Sequence, residues 1–200
     1  MRRPVSLTSV LLSTVSMALF SSPCFAYEVP PPWVVKGDSS EKYEVKIDPS
    51  VIHNGKPSAF ISSKEPKIEG MVTIRQKISA EKYLGKRVQF SCWLKTENVK
   101  EGALLWMRVD AKDNNPLAFD NMENRPVKGS TDWKQYSVVL NIPEGAKAIL
   151  FGVWLSETGK VWANNLEFRV VGNDVPVTDL MKKEDSLAGE PSNMDFSEKK

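Results

Sequence analysis

Three tryptophans recur at strand spacing among residues that could hold a polar ligand. Trp93 lies between Ser91 and Lys95, Trp106 between Leu104 and Arg108 with Asp110 beyond, and Trp154 after Leu150 and Gly152. In each case the indole shares a face with alternate residues, opposite the apolar run of its segment. An indole offers an apolar plate for the C–H face of a sugar, while Arg, Asp and Asn supply directional hydrogen bonds. The combination suits a neutral polar ligand such as a carbohydrate. The same residues also suit a structural role, with the indoles packed under loops or in a second core layer and Arg108 paired with Asp110.

The stretch Ala118–Pro126 after the Trp106 segment is dense in polar groups and reads as a loop, with Asp120, Asn121 and Arg125 as further ligand contacts. The alternative is that Asp120 and Asn121 cap a turn while Arg125 makes an ion pair. Thr131-Asp132-Trp133 reads as structural, with Asp132 bonding a turn and Trp133 closing the end of the fold.

Catalytic constellations are scarce. His53 is the single histidine and falls in an expected exposed turn, so neither a zinc site nor a Ser-His-Asp triad can be assembled around it. Asp110, Asp120 and Glu123 lie near one another in sequence, which leaves a glycoside-cleaving carboxylate pair open by counting. Small sandwiches more often hold ligands than cleave them, and no phosphate-cradling glycine loop is present. The expectation is a binding module rather than an enzyme.

The elements that position these residues are strands. Apolar and polar residues alternate through Tyr43–Asp48, Val72–Ile78, Phe90–Leu94, Leu105–Val109, Tyr136–Ile142, Ile149–Leu155 and Leu166–Val170. His53-Asn54-Gly55-Lys56 marks a tight hairpin turn, and only Ser79–Leu84 reads as helical. Seven to nine such segments predict an all-β fold, an antiparallel two-sheet β-sandwich.

Residues 1–26 read as a cleaved signal peptide: Arg2 and Arg3, an uncharged apolar run from Val5 to Phe20, then Ser21–Ala26 with cleavage after Ala26. The run is shorter than a membrane span requires, and Pro23 fits poorly with a lipidated Cys24. The expected location is therefore the periplasm or the medium. The 200-residue chain has 27 Lys+Arg against 25 Asp+Glu; removing the leader takes two arginines and leaves 25 against 25. That balance argues against nucleic acid, and no membrane span is expected. Only Cys92 stays in the processed chain, inside the apolar alternation, so it reads as a buried thiol in a monomeric fold without disulfides. The remaining divisions are an extended Pro-rich lead-in over 27–34, the sandwich over 35–172, and a polar, acidic, largely disordered tail over 173–200.

Lys86–Val99, Leu105–Asp110, Leu117–Met122, Arg125–Gly129 and Thr131–Trp133 together resemble one family of galactose-binding-like jelly-roll domains. The resemblance spans about Trp33 to Asp179. Such domains occur as secreted single-domain bacterial proteins and beside peptidase or esterase domains, and some members carry a transcriptional-regulator label that the leader and the charge balance do not support here. The resemblance implies a jelly-roll topology and a non-catalytic role, binding a glycan or an envelope protein. Jelly-roll carbohydrate modules often hold a structural calcium on acidic residues near the last strand. Here Asn164 and Asn165 follow Val161-Trp162-Ala163, and amides bind calcium more weakly than carboxylates, so no calcium or other cofactor is predicted.

Overall fold

The computed structural model describes residues 29–181 and 194. Nine strands follow in order: β1 (Val34–Lys36), β2 (Tyr43–His53), β3 (Lys56–Ser63), β4 (Met71–Ser79), β5 (Arg87–Asp110), β6 (Pro116–Asp120), β7 (Val127–Asn141), β8 (Ala148–Ser156) and β9 (Lys160–Val171). All pair antiparallel. The helical segments among the described residues are two 3-10 turns, Ser40–Lys42 and Glu81–Tyr83, the second inside the segment predicted to be helical.

Strand β5 organises the jelly-roll sandwich because it serves both layers. Its first half pairs with β7 and β9, from Arg87 opposite Asn141 and Val171 to Thr96 opposite Thr131 and Val161. Its second half pairs with β8 and β6, from Gly102 opposite Ser156 to Asp110 opposite Ala148. One layer thus runs β1-β4-β8-β5-β6 and the other β7-β5-β9-β3-β2. The bend lies near Asn98, whose φ is +52°, where the β8–β9 turn packs on the corner through Lys100 N–H to Thr158 O at 3.0 Å. Gly159 in that turn has φ +131°, and a Cβ there would sit 2.5 Å from Val99 Cα, so the corner requires glycine.

The core fills the space between the layers. Val88, Phe90, Cys92 and Leu94 point inward from the first half of β5, and Ala103, Leu105, Met107 and Val109 from the second. They meet Ile149, Phe151, Val153 and Leu155 of β8, and the Phe90 and Phe151 rings lie 5.0 Å apart. Truncating one such residue to alanine costs roughly 2–5 kcal/mol. Cys92 is fully buried, and burial pushes its thiol well above the usual range. Asn54 and Gly55 have φ of +49° and +73°, the signature of the type I′ turn expected between β2 and β3.

The two ends differ from the expectation. The Pro-rich lead-in is not extended: Trp33 N–H bonds Pro30 O at 3.1 Å, and the Trp33 ring packs edge-on to Phe151, so core burial draws the chain into a turn. The first residues of the polar tail are fixed, because they cover two exposed strand edges. Thr178 N–H donates to Val139 O on β7 (2.9 Å), and Leu180 N–H to Phe119 O on β6 (2.8 Å). The Asp179 carboxylate also accepts from Phe119 N–H at 3.1 Å. The signal-peptide segment 1–26, residues 27–28 and the remainder of the tail, apart from Met194, lie outside the described residues. No described helix is long and apolar enough to cross a membrane.

Candidate functional site

The sequence-predicted residues divide between two faces. Trp106, Arg108, Asp110 and Trp154 share the outer face of the β1-β4-β8-β5-β6 layer, where the register sets Trp106 opposite Gly152 and Gly152 opposite Arg75. Trp93 lies on the outer face of the other layer, opposite Gln135 and Asn164. The inward parity explains the split, because even residues face the core before the β5 corner and odd residues after it.

Trp106 is only 7% exposed. Its indole N–H crosses β8 at Gly152, which has no side chain, and donates to Thr73 Oγ1 on β4 at 2.8 Å. Thr73 in turn donates to Val153 O at 2.9 Å. Trp106 therefore forms the floor of this face rather than an open plate. Asp110 is 1% exposed and accepts from Arg108 Nη2 at 2.9 Å. Arg108 Nε also lies 2.8 Å from Asp110 Oδ1, but out of line for a hydrogen bond. The Arg108 side chain stays 40% exposed, so one edge of its guanidinium remains open to solvent.

Trp154 is half-buried, with its ring centroid 6.4 Å from that of Trp106. Its indole N–H is buried and finds no partner among the described residues, and neither does the buried Nε of half-buried Arg75. Buried donors are nearly always satisfied in folded proteins, yet with the out-of-line Arg108 Nε three on this face have no hydrogen-bond partner among the described residues. Arg75 escaped the sequence reading because its segment looked like an ordinary alternating strand. Only the register brings it to the tryptophans.

The Ala118–Pro126 residues do not form a ligand loop. Ala118, Phe119 and Asp120 belong to β6, and Asp120 is fully buried. Its carboxylate accepts from Met122 N–H (2.8 Å) and from Arg125 Nη1 (3.1 Å) and Nη2 (2.5 Å). Arg125 continues to Ser137 O on β7 at 3.3 Å, tying β6 to β7. Asn121 is buried as well and is held by Glu123 at 3.1 and 3.2 Å. These three residues make a turn and an ion pair, and their geometry leaves a ligand little to bind.

The opposite face carries a cluster that the sequence did not suggest. His53 is half-buried, with its ring 4.5 Å from Trp133 and 4.9 Å from Trp93. It ends β2 rather than standing in an exposed turn, and Trp133 reaches it at a register shift in β7. Farther along, Trp162 Nε1 donates to Asp48 Oδ2 at 2.9 Å. Three cations on this face are paired: Lys46 with Glu44 (2.7 Å), Lys95 with Asp132 (3.6 Å) and Lys160 with Glu97 (2.7 Å).

A cavity of about 330 Å³ opens between the layers beneath Val29 and Trp33, lined by Ile61, Ile74, Val153 and Val161. The Asn164 amide at its edge already bonds Lys56 O, Pro57 O and Ser58 Oγ within 3.1 Å. Its lining is mainly apolar, with Lys56 and Asn165 at the rim beside Asn164. Among the described residues, no three His, Cys, Asp or Glu side chains converge as a metal site would require.

No family model matches the chain. It is 41% identical over 167 residues to a Bacillus subtilis (strain 168) protein described as the uncharacterized HTH-type transcriptional regulator YbfP, covering 83% of this chain and 56% of that one. The chain thus spans little more than half of that relative's length. Among solved structures, it is similar to the enzymatically active domain of bacteriophage CBA120 tailspike protein 4, with TM-score 0.54, 18% identity, and 70% and 19% of the two chains covered. It is also similar to the CBM22-1–GH10 modules of Clostridium thermocellum xylanase 10B complexed with xylohexaose, with TM-score 0.50, 12% identity, and 70% and 26% covered. At these identities the structural likeness establishes the jelly-roll fold.

Proposed function

We propose that the chain is an exported, non-catalytic binding module for saccharides, acting through the outer face of the β1-β4-β8-β5-β6 layer. The observation that carries this reading is the pair of unsatisfied buried donors, Trp154 Nε1 and Arg75 Nε, beside a half-buried indole and the open edge of Arg108. A pyranose stacked near Trp154 would supply the missing acceptors from its hydroxyls. The fold shared with a structure of CBM22-1–GH10 modules complexed with xylohexaose supports the same reading. Trp106, Asp110 and Thr73 act beneath the site as its floor.

The test is a glycan panel probed with the purified protein. Retained glycans whose binding falls about tenfold or more in Trp154→Ala, and not in Trp93→Ala, support the site. Binding that survives Trp154→Ala unchanged overturns it. Mass spectrometry of the protein from cell fractions tests export, which predicts a chain beginning at Tyr27 outside the cytoplasm.

The Bacillus relative favours ligand recognition over catalysis. A domain of this kind within a protein named as a transcriptional regulator fits an effector-sensing part, and the described residues here hold no helix that could enter a DNA groove. Docking of an envelope protein is the alternative role. Deleting residues 181–200 and losing a co-purified partner would favour it.

A further inference from the structure

Charge is distributed unevenly between the two faces, although the processed chain is expected to be neutral overall. The ladder places Lys36, Arg75, Lys77 and Arg108 on the Trp154 face, with Asp110 the carboxylate among them. Arg108 is held by Asp110, whereas Lys36, Arg75 and Lys77 enter no ion pair among the described residues. On the opposite face Lys46, Lys95 and Lys160 each meet a carboxylate, while Lys56, Arg87 and Arg169 lie among Glu44, Asp48, Glu97, Asp132 and Glu167 without a direct ion pair among the described residues. The Trp154 face thus sets four cations against one carboxylate, beside the unsatisfied donors.

We propose that the ligand of this face is an anionic saccharide, a glycan whose uronic-acid carboxylates are bound by Arg75. This rests on the saccharide-binding reading above and names the class of sugar. Arg75 lies one register step diagonally from Trp154, since Thr73 is opposite Trp154 and Arg75 opposite Gly152. Diagonal neighbours on a sheet are about 7–8 Å apart, within reach of long side chains, so the Arg75 side chain can extend towards a group stacked on Trp154. A guanidinium offers a planar fork that matches a carboxylate bidentately. Because half-buried Arg75 has no protein carboxylate to satisfy it, a ligand carboxylate meets no internal competitor. Lys77 follows Arg75 on the same strand face, and Lys36 lies opposite Thr73 on β1, so a charged chain running across the strands would keep meeting cations.

The experiment titrates the purified chain, as processed by its host, with oligomers of polygalacturonate, alginate and hyaluronan, each beside its carboxyl-reduced neutral form. Calorimetry is expected to show at least one acidic oligomer binding about tenfold or more tighter than its reduced twin. That preference should shrink in Arg75→Gln, recover in part in Arg75→Lys, and weaken as salt is raised from 0.05 to 0.5 M, roughly the range over which screening becomes strong. Matching melting temperatures for the variants would separate lost recognition from lost folding. Neutral oligomers that bind as tightly as acidic ones overturn the anionic preference and leave the saccharide reading standing. Binding of no oligomer, acidic or neutral, overturns both, and an acid preference untouched by Arg75→Gln overturns the role of Arg75.

Discussion

The indole N–H of Trp106 reaches across Gly152 to the hydroxyl of Thr73, two strands away, at 2.8 Å. The contact exists because β8 offers no side chain at the crossing. A Cβ on Gly152 would lie 2.2 Å from Ile74 O and 2.9 Å from Arg75 Cα. Gly152→Ala must therefore push β8 away from β4, and is expected to cost about 2 kcal/mol or more. Trp106→Phe keeps most of the buried ring but leaves Thr73 without its donor, a loss of about 1 kcal/mol. Urea unfolding checks both, and a Gly152→Ala midpoint equal to wild type would refute the packing argument.

Asp120 is buried beneath Arg125, and its second role is to hold Met122 N–H at a residue with φ +58°. Asp120→Asn keeps the shape of the side chain but leaves Arg125 without a countercharge. Removing one partner of a buried pair costs roughly 3–5 kcal/mol. Arg125 is one-third exposed, so water recovers part of this and the expected loss is about 2–3 kcal/mol. Saccharide binding measured well below the melting temperature should be unchanged, because the pair lies off the recognition face. A binding defect without a stability defect would return Asp120 to the site.

Much of this was legible in the sequence, and what was missed has a common cause. Period-two alternation found the strands, Asn54-Gly55 fixed one turn, and the apolar setting of Cys92 announced its burial. Alternation also assigned Trp106 correctly to the face away from the core. It could not say that a glycine on the next strand and a threonine beyond it would bury that indole, since both are long-range facts of register. The reversal of inward parity at the β5 corner is equally hidden, because Glu97–Glu101 looks like the polar end of one strand rather than a bend within it. Hence Trp93 and Trp106, alike in local pattern, stand on opposite sides of the molecule. His53 was misplaced for the same reason, as its neighbours Trp93 and Trp133 come from strands far along the chain. Neutral net charge likewise concealed a face where cations are left unpaired.

Tyr43 ties three segments together at one edge of the sandwich. Its ring is fully buried, and its hydroxyl donates to Glu157 O at 2.9 Å and lies 3.2 Å from Gly70 O. Burial, helped by the charges of Asp38 and Glu157, pushes its pKa up to about 12 from 10.0. The folded state thus holds this proton at pH values where the unfolded chain releases it. The stability linked to Tyr43 is full below pH 10 and falls as pH rises towards 12. Tyr43→Phe should lower stability by about 1 kcal/mol at neutral pH and flatten the alkaline decline. Equal alkaline slopes for the two proteins would contradict this.

Asp48 supplies the matching acid limb. Its carboxylate accepts from the Ser50 hydroxyl (2.6 Å) and from Trp162 Nε1 (2.9 Å), and these bonds, the Ser50 hydroxyl first, lower its pKa to about 2 from 3.8. A depressed folded-state value means that the unfolded chain takes up the proton first. The associated stability is therefore present above pH 3.8 and lost as pH falls towards 2. Asp48 is partly exposed, so water screens the effect and the sensitive readout is the partner ring. Protonation weakens the acceptor for the Trp162 N–H, and tryptophan emission should change between pH 4 and 2 before global unfolding. Asp48→Asn should abolish that step while leaving emission at neutral pH close to wild type, because an amide oxygen can still accept the bond. An acid step that persists in Asp48→Asn would assign it to another group.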